Sequence, residues 1–215
     1  MGDLSGNFVE ISDLLQRGKA KEIVAAVEKA LSEGAAAVDI LEKGLISGMN
    51  IIGGKFKNGE VFVPEVLIAA RAMNRASSAL KPALVEAGVK PVGKAVICTV
   101  KGDLHDIGKN LVRMMIEGKG VEVLDLGVDC PNEKIVETVR DSDAKVVCLS
   151  ALLTTTMQGQ RDAIEALKAA GLRDKVKVMV GGAPVTASFA NEIGADAYTP
   201  DAASAAEVCR AFYNQ

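Results

Sequence analysis

The spacing of apolar residues changes near residue 90, and this change restricts the possible folds more than any other feature. From Phe8 to Ala87, apolar residues recur at the three- and four-residue spacing of helices that are buried on one side. Beyond the linker Gly88–Gly93, short β-rich runs alternate with stretches of helical spacing. The sequence therefore predicts a helical domain over residues 1–90 and an α/β domain over residues 91–215.

The helical half contains four apolar stripes separated by turn signals. Gly34 has the position of a helix C-cap, Asn58-Gly59 marks a turn, and Pro64 suits the first turn of the next helix. Four helices joined by short turns predict an antiparallel four-helix bundle.

The C-terminal half contains five β-rich runs with helical stretches between them. This alternation predicts a flavodoxin-like (Rossmann-type) domain with a five-stranded parallel sheet and helices on both faces. Ligands of such sheets bind at the carboxyl ends of the strands, so we expect the loops after strands one, three and four to carry the function. The predicted strands are Ala95–Val100, Val121–Leu126, Val146–Leu149, Val176–Val180 and Ala195–Tyr198.

Charge and composition exclude several classes of protein. The net charge of −3, the absence of Trp and the 3% of aromatic residues argue against nucleic-acid binding. The sequence contains no run of about 18 apolar residues, so we expect no membrane span. The first ten residues lack the pattern of a signal peptide. Four widely spaced cysteines argue against a disulfide framework or structural zinc, so we expect a cytoplasmic protein.

The loop after the first predicted strand, Lys101–Asn110, holds the single histidine of the chain, His105. Its two glycines and Lys109 resemble the ends of a phosphate-binding loop. That interpretation fails because the spacer has five residues instead of four, Asn110 replaces Ser or Thr, and two aspartates would repel phosphate.

An imidazole with a carboxylate two residues earlier is a different kind of pattern. A carboxylate such as Asp103 that accepts from one ring nitrogen fixes the tautomer and makes the other nitrogen a better metal ligand. One histidine does not hold a free metal ion, but it serves as axial ligand to a metal that a macrocycle already holds. From these residues alone, a loop histidine that caps a helix stays open as the alternative.

The other two loops are also rich in residues that suit ligand contacts. Ser150 to Thr156 includes three consecutive threonines, which suit a loop that hydrogen-bonds a polar ligand, although these residues taken alone favour an N-cap run for the next helix. Gly181-Gly182 leaves room for close approach to the backbone, and a tight strand–helix turn is the alternative.

Taken together, the three loops resemble a known signature. Asp103-x-His105-x-x-Gly108, then Ser150-x-Leu152, then Gly181-Gly182, resembles the signature of cobalamin-binding domains. The chain is similar to the corrinoid methyl-carrier proteins of methyltransferase systems and to the cobalamin module of methionine synthase. The resemblance runs from about residue 8 to the end, and Asn58–Glu65 in the helical half matches a further stretch of the family.

The resemblance implies roles for individual residues. His105 would be the lower axial ligand of cobalt, Asp103 would hydrogen-bond its other ring nitrogen, and Thr156 would continue the relay where methionine synthase has a serine. Further residues, all in the three loops except Ala202 near the end of the channel, would contact the corrin or line the channel for its nucleotide tail. They are Gly102, Leu104, Asp106, Ile107, Gly108, Ser150, Leu152, Thr154, Gly181, Gly182 and Ala202.

The helical half would then cap the methyl-bearing side of the cofactor. The positions that match the family's covering residues are Phe56, Val63, Val66 and Leu67, and Glu42 matches a polar contact. The ordinary packing core of a bundle is the alternative for the apolar four.

By this resemblance, the protein carries a methyl group on cobalt and is not catalytic without partners. The implied partners are a substrate-specific methyltransferase, a second methyltransferase that passes the methyl group to tetrahydrofolate or a thiol coenzyme, and a reductive activase. The methyl donor stays open among methylamines, methanol, glycine betaine and methoxylated aromatics, with the loops most similar to those of methylamine carriers. The alternatives are a subunit of an adenosylcobalamin-dependent mutase, a cobalamin-based sensor, and a flavodoxin-like interaction module without cofactor.

Overall fold

The computed structural model describes residues 5–214. The chain divides into two compact units, Met1–Lys90 and Pro91–Gln215. Residues 1 and 215, the outer limits of the two predicted domains, lie outside the described residues. So do the first four of the ten residues that lack a signal-peptide pattern. Within the described part of the chain, no helix is long and apolar enough to cross a membrane.

The first unit is helical, as predicted. Three consecutive helical segments follow one another without a break where the sequence predicts a single third helix, and the middle one is π-helical, which the apolar spacing did not indicate. The elements are α1 (Ser5–Gln16), α2 (Glu22–Ser32), α3 (Ala37–Asp39), a π-helical segment (Ile40–Ile46), α4 (Ser47–Lys57) and α5 (Val63–Glu86). Gly34 follows α2 with a φ of +89°, in agreement with its predicted C-cap role.

Two glycines explain how α1 packs so closely on the third helical stretch. A β-carbon at Gly44 would lie 2.9 Å from Cγ2 of Ile11, and one at Gly48 would lie 3.1 Å from the carbonyl oxygen of Ser12. Because glycine has no side chain there, the apolar residues of α1 reach the bundle interior. Ile11 and Leu15 have no exposed surface as a result.

The second unit is an α/β domain with a five-stranded sheet in the order β2-β1-β3-β4-β5, and all of its strand pairs are parallel. This confirms the predicted flavodoxin-like order. Each observed strand begins and ends within two residues of its predicted limits. The strands are β1 (Lys94–Thr99), β2 (Glu122–Asp125), β3 (Val146–Ser150), β4 (Lys177–Gly181) and β5 (Ala197–Tyr198). The helices are α6 (Ile107–Glu117), α7 (Asn132–Asp141), α8 (Gln158–Ala169), α9 (Ala187–Ile193) and α10 (Ala202–Ala211).

The strand register brings the three candidate loops together. Thr99 at the end of β1 pairs with Ser150 at the end of β3, and Ser150 pairs with Gly181 at the end of β4. The three strands therefore end in one row. From β1 the chain adds β2 on one side of the sheet and β3 to β5 on the other. The loops after β1 and β3 therefore leave the sheet on opposite sides and form a crevice at its carboxyl edge.

Candidate functional site

The loop after β1 is folded tightly enough to fix the position of His105. The N–H of Asp103 donates to the carbonyl oxygen of Val100 at 3.2 Å, and Gly102 has a φ of +83° that suits a residue without a side chain. Farther along, the hydroxyl of Thr99, a fully buried residue, donates to the carbonyl oxygen of His105 at 2.7 Å. Two loop residues, Asp103 and His105, are thus hydrogen-bonded to the end of β1.

The carboxylate of Asp103 is the centre of the site. One oxygen, Oδ1, accepts from Nδ1 of His105 at 2.7 Å and from the backbone N–H of His105 at 3.0 Å. The other, Oδ2, accepts from the backbone N–H of Leu152 and from the hydroxyl of Thr156, both at 2.7 Å. Asp103 is only 1% exposed, so these four donors take the place of water.

The four donors also control the charge of this carboxylate. Burial alone would raise the pKa of Asp103, but the backbone N–H groups of His105 and Leu152, the Thr156 hydroxyl and the His105 ring hold it well below its ordinary range. Asp103 is therefore ionised at neutral pH and keeps the proton of the neutral imidazole on Nδ1.

The hydroxyl of Thr156, to which the resemblance gives a relay role, lies beside Asp103. Its side chain is buried and lies within hydrogen-bond distance of Asp103, although threonine carries a methyl group that serine lacks. The alternative of an N-cap run does not hold for this residue. Helix α8 begins at Gln158, and Met157 precedes it without a side-chain capping bond.

The ring of His105 does not cap a helix either. Asp106 is the N-cap residue of α6, and the imidazole is engaged with Asp103 instead. The side chain of His105 is 50% exposed. Among the described residues, its Nε2 atom has no hydrogen-bond partner, so this nitrogen keeps a free lone pair at the surface.

Exposed apolar side chains accompany the free nitrogen. Leu104 and Ile107, on either side of His105 in the loop, are 73% and 74% exposed, and Leu152 and Leu153 after β3 are 40% and 44% exposed. Four large apolar side chains around one imidazole favour a ligand with a broad apolar face.

The remaining predicted residues of this unit differ in accessibility. Gly102, Asp106, Gly108, Thr154 and Gly182 are exposed, Ser150 and Gly181 are half-buried, and Ala202 at the start of α10 is buried. The group that lies close to the backbone of Gly182 is another part of the protein, the carbonyl group of Ala151. With a φ of +129°, this residue lies so near the loop after β3 that a β-carbon would be 1.8 Å from the carbonyl oxygen of Ala151.

The predicted cap residues lie in the helical unit. Glu42 is exposed, while Phe56, Val63 and Leu67 are half-buried and keep part of their surface. Val66 has no exposed surface, which fits the packing role that was its alternative.

Lys109 shows why the loop is not a phosphate loop. Its ammonium group is buried and donates to Asp125 Oδ1 at 2.7 Å and to Asn110 Oδ1 at 3.0 Å. A lysine committed to a buried ion pair is not available to a phosphate. This ion pair could not be predicted from the sequence, because Lys109 lies in α6 and Asp125 in β2.

The donor atoms of the site suit a metal ion whose other ligands come from a cofactor. In residues 5–214, no group of three or more His, Cys, Asp or Glu side chains could hold a metal ion. The site offers one imidazole nitrogen, a carboxylate that fixes its tautomer, and an apolar surround. This is the set that a macrocyclic metal complex requires of a protein.

Comparison with known sequences identifies the family. The profile of the B12 binding domain matches residues 93–209, and a second B12 binding domain profile matches residues 8–81. The chain belongs to the B12-binding corrinoid protein family. Both units of this corrinoid protein thus match B12-binding domains, and its cofactor is cobalamin or a related corrinoid.

Individual relatives of this corrinoid protein are similar over nearly the whole chain. The dimethylamine corrinoid protein 3 of Methanosarcina acetivorans is 45% identical over 95% of this chain and 96% of its own. The trimethylamine corrinoid protein 1 of the same organism is 43% identical over 89% of this chain and 90% of its own. In the methanol:cobalamin methyltransferase complex of Methanosarcina barkeri, one chain superimposes with a TM-score of 0.85 and 28% identity, over 95% of this chain and 78% of that one.

Replacing Thr156 with valine is expected to lower the free energy of unfolding by about 1 kcal/mol, because Asp103 loses one donor and the Leu153 N–H loses its acceptor. Thr156→Ser retains the hydroxyl and serves as the matched control. Urea unfolding of the cofactor-free protein measures the difference. Equal stability of the valine and serine variants would show that the hydroxyl contributes nothing to this network.

Proposed function

We propose that this corrinoid protein carries a methyl group between a methyltransferase specific for a methylamine and a second methyltransferase. The observation that carries the proposal is the arrangement of Thr156, Asp103 and His105, which presents one imidazole nitrogen with a fixed tautomer at the carboxyl edge of the sheet. The similarity to dimethylamine and trimethylamine corrinoid proteins supports a methylamine as the donor.

The corrinoid, when bound, supplies a cobalt centre that accepts a methyl group in its reduced state and releases it to a nucleophile. The protein contributes the rest. Nε2 of His105 would bind the lower face of the cofactor, while Asp103 holds the Nδ1 proton and so strengthens the ligand. The Asp103–His105 pair would take up a proton when the imidazole is released from the metal and give it up when the imidazole binds again.

The loops would hold the organic part of the cofactor. Leu104, Ile107 and Leu152 would pack against the corrin, and Ser150, Thr154 and Gly181 would line the path of its nucleotide tail. In the helical unit, Phe56, Val63 and Leu67 would cover the methyl-bearing side and exclude water.

Partner proteins complete the proposed cycle. The similarity to a chain of a methanol:cobalamin methyltransferase complex supports a stable complex with a substrate-specific methyltransferase. A second methyltransferase would pass the methyl group to tetrahydrofolate or a thiol coenzyme, and a reductive activase would restore cobalt that has been oxidised.

Methyl transfer to the reconstituted protein tests the proposal. The protein is loaded with hydroxocobalamin, reduced with titanium(III) citrate, and mixed with methyltransferases specific for mono-, di- or trimethylamine, or for methanol, each with its substrate. We expect the absorption spectrum of the reduced cofactor to change to that of the methylated one with a methylamine pair. Failure of all methylamine pairs would contradict the donor class, and failure of every pair would contradict the carrier function.

A further inference from the structure

Asp129 has a backbone conformation that is rare for its residue type. It lies between β2 and α7 with a φ of +48°, and among the described residues it is the one non-glycine residue with a positive φ. This left-handed region costs energy for any residue with a β-carbon, although Asp and Asn tolerate it better than most. Such a conformation persists only where surrounding contacts fix it.

Two hydrogen bonds connect Asp129 to the loop that carries His105. Its backbone N–H donates to the carbonyl oxygen of Asp103 at 2.9 Å, and its Oδ1 accepts from the backbone N–H of Gly102 at 2.7 Å. Asp129 therefore binds the Gly102-Asp103 dipeptide at both ends, at the N–H of Gly102 and at the carbonyl oxygen of Asp103. We call this pair of bonds the Asp129 clasp.

The clasp is anchored on the sheet. The N–H of Cys130 donates to the carbonyl oxygen of Thr99 at 3.1 Å, and Cys130 forms a parallel bridge with Val100. On the other side, the N–H of Thr99 donates to the carbonyl oxygen of Gly127 at 3.0 Å. The segment that bears Asp129 is thus bound to the end of β1, beside the point where the His105 loop begins.

We propose that Asp129 is a positioning residue for His105. It does not touch the imidazole. It holds the N–H of Gly102 and the carbonyl oxygen of Asp103, and so fixes the backbone that places the Asp103 carboxylate. That carboxylate orients the ring through Nδ1. The inference rests on the proposed function only in taking Nε2 of His105 as the cobalt ligand.

The residue type at position 129 satisfies two requirements at once. Glycine would satisfy the backbone conformation but offers no acceptor to the Gly102 N–H. Asparagine satisfies both, because it tolerates the left-handed region and its side-chain oxygen has the same reach. These two substitutions therefore separate the hydrogen bond from the backbone strain and from the charge.

The test compares Asp129→Gly and Asp129→Asn, with Asp174→Asn as a control that removes an exposed carboxylate elsewhere. We expect Asp129→Gly to weaken hydroxocobalamin binding about tenfold and to reduce the fraction of cobalt ligated by histidine. Asp129→Asn and Asp174→Asn should match the natural protein. Equal behaviour of the glycine variant and the natural protein would overturn the proposal, and so would equal impairment of the glycine and asparagine variants.

A second measurement uses the cofactor-free protein. Because the chain has a single histidine, its ¹⁵N imidazole spectrum at mildly alkaline pH reports the tautomer of His105 alone. We expect one tautomer in the natural protein and in Asp129→Asn, and a mixture in Asp129→Gly. An unchanged tautomer in Asp129→Gly would contradict the proposal, even if the proposed cobalt ligation by His105 were itself wrong.

Amide hydrogen exchange of the natural protein covers the case in which Asp129→Gly does not fold. The clasp requires the Gly102 N–H to exchange much more slowly than the exposed N–H of Ala183. Equal protection of these two amides, after correction for their intrinsic exchange rates, would show that the Asp129 carboxylate does not hold the His105 loop in solution.

Discussion

Replacing His105 with glycine is expected to lower cobalamin affinity by about 100-fold, since even residues that only orient a metal ligand contribute about 10- to 100-fold. The side chain lost is the exposed imidazole whose Nδ1 is held by Asp103, and no second histidine is present to take its place. Nitrogen ligation of cobalt by the protein should therefore disappear altogether.

Electron paramagnetic resonance of the protein loaded with cob(II)alamin measures this loss. With ¹⁵N-labelled histidine, the axial nitrogen coupling should change from three lines to two, and the single histidine makes the assignment unambiguous. Gln158→Ala, an exposed change outside the His105 loop, is the control. Added imidazole should restore ligation in His105→Gly. A coupling that is insensitive to the histidine label would contradict axial ligation by His105.

The second large effect is expected for Asp103→Asn. The amide has the shape of the carboxylate, but its NH₂ group would face donors that now need acceptors, either Leu152 N–H and Thr156 or His105. A buried network with mismatched donors costs about 2–3 kcal/mol of unfolding free energy at neutral pH. Cobalamin affinity should also fall by about tenfold or more, because the imidazole loses its fixed tautomer.

The loss of stability in Asp103→Asn should depend on pH in a defined direction. The pKa of Asp103 in the folded protein lies below its ordinary value of about 3.9. Its charge therefore stabilises the fold above that value, and this contribution is lost as the pH falls toward the folded-state pKa. Urea unfolding from neutral pH to pH values below the ordinary pKa of aspartate should show a constant difference at first, with the natural protein approaching the variant only below that pKa.

Asp174→Asn is the control for this pH dependence, because it removes an exposed carboxylate without hydrogen bonds to the site. It should change the unfolding free energy little at any pH. A stability difference between Asp103→Asn and the natural protein that stays constant down to pH values below the ordinary pKa of aspartate would contradict the role assigned to the Asp103 charge.

Local sequence patterns predicted most of the fold. The strands of a parallel sheet are buried on both faces and form short β-rich runs, so their limits and the strand order follow from the alternation with helices. The π-helical segment Ile40–Ile46 escaped prediction because its apolar residues keep nearly helical spacing. The close packing of α1 at Gly44 and Gly48 accompanies it but leaves no periodic signal.

The candidate site was predicted in part. The two-residue spacing of Asp103 and His105 is local, so their hydrogen bond could be anticipated. The bond from Leu152 N–H joins loops 49 residues apart, and the one from Gly102 N–H to Asp129 spans 27 residues. Such contacts depend on how the strands are arranged in space. Because every residue except proline has a backbone N–H, the residue type does not show which N–H will bind a side chain.

The Asp103 carboxylate joins the loop after β1 to the loop after β3. Its Oδ1 holds the imidazole and its Oδ2 holds the backbone at Leu152, next to the exposed side chain of Leu153. A displacement of the backbone at Leu152 would therefore move the Asp103 carboxylate and, through Oδ1, the ring of His105. The position of the proposed cobalt ligand would then depend on a loop that does not itself carry it.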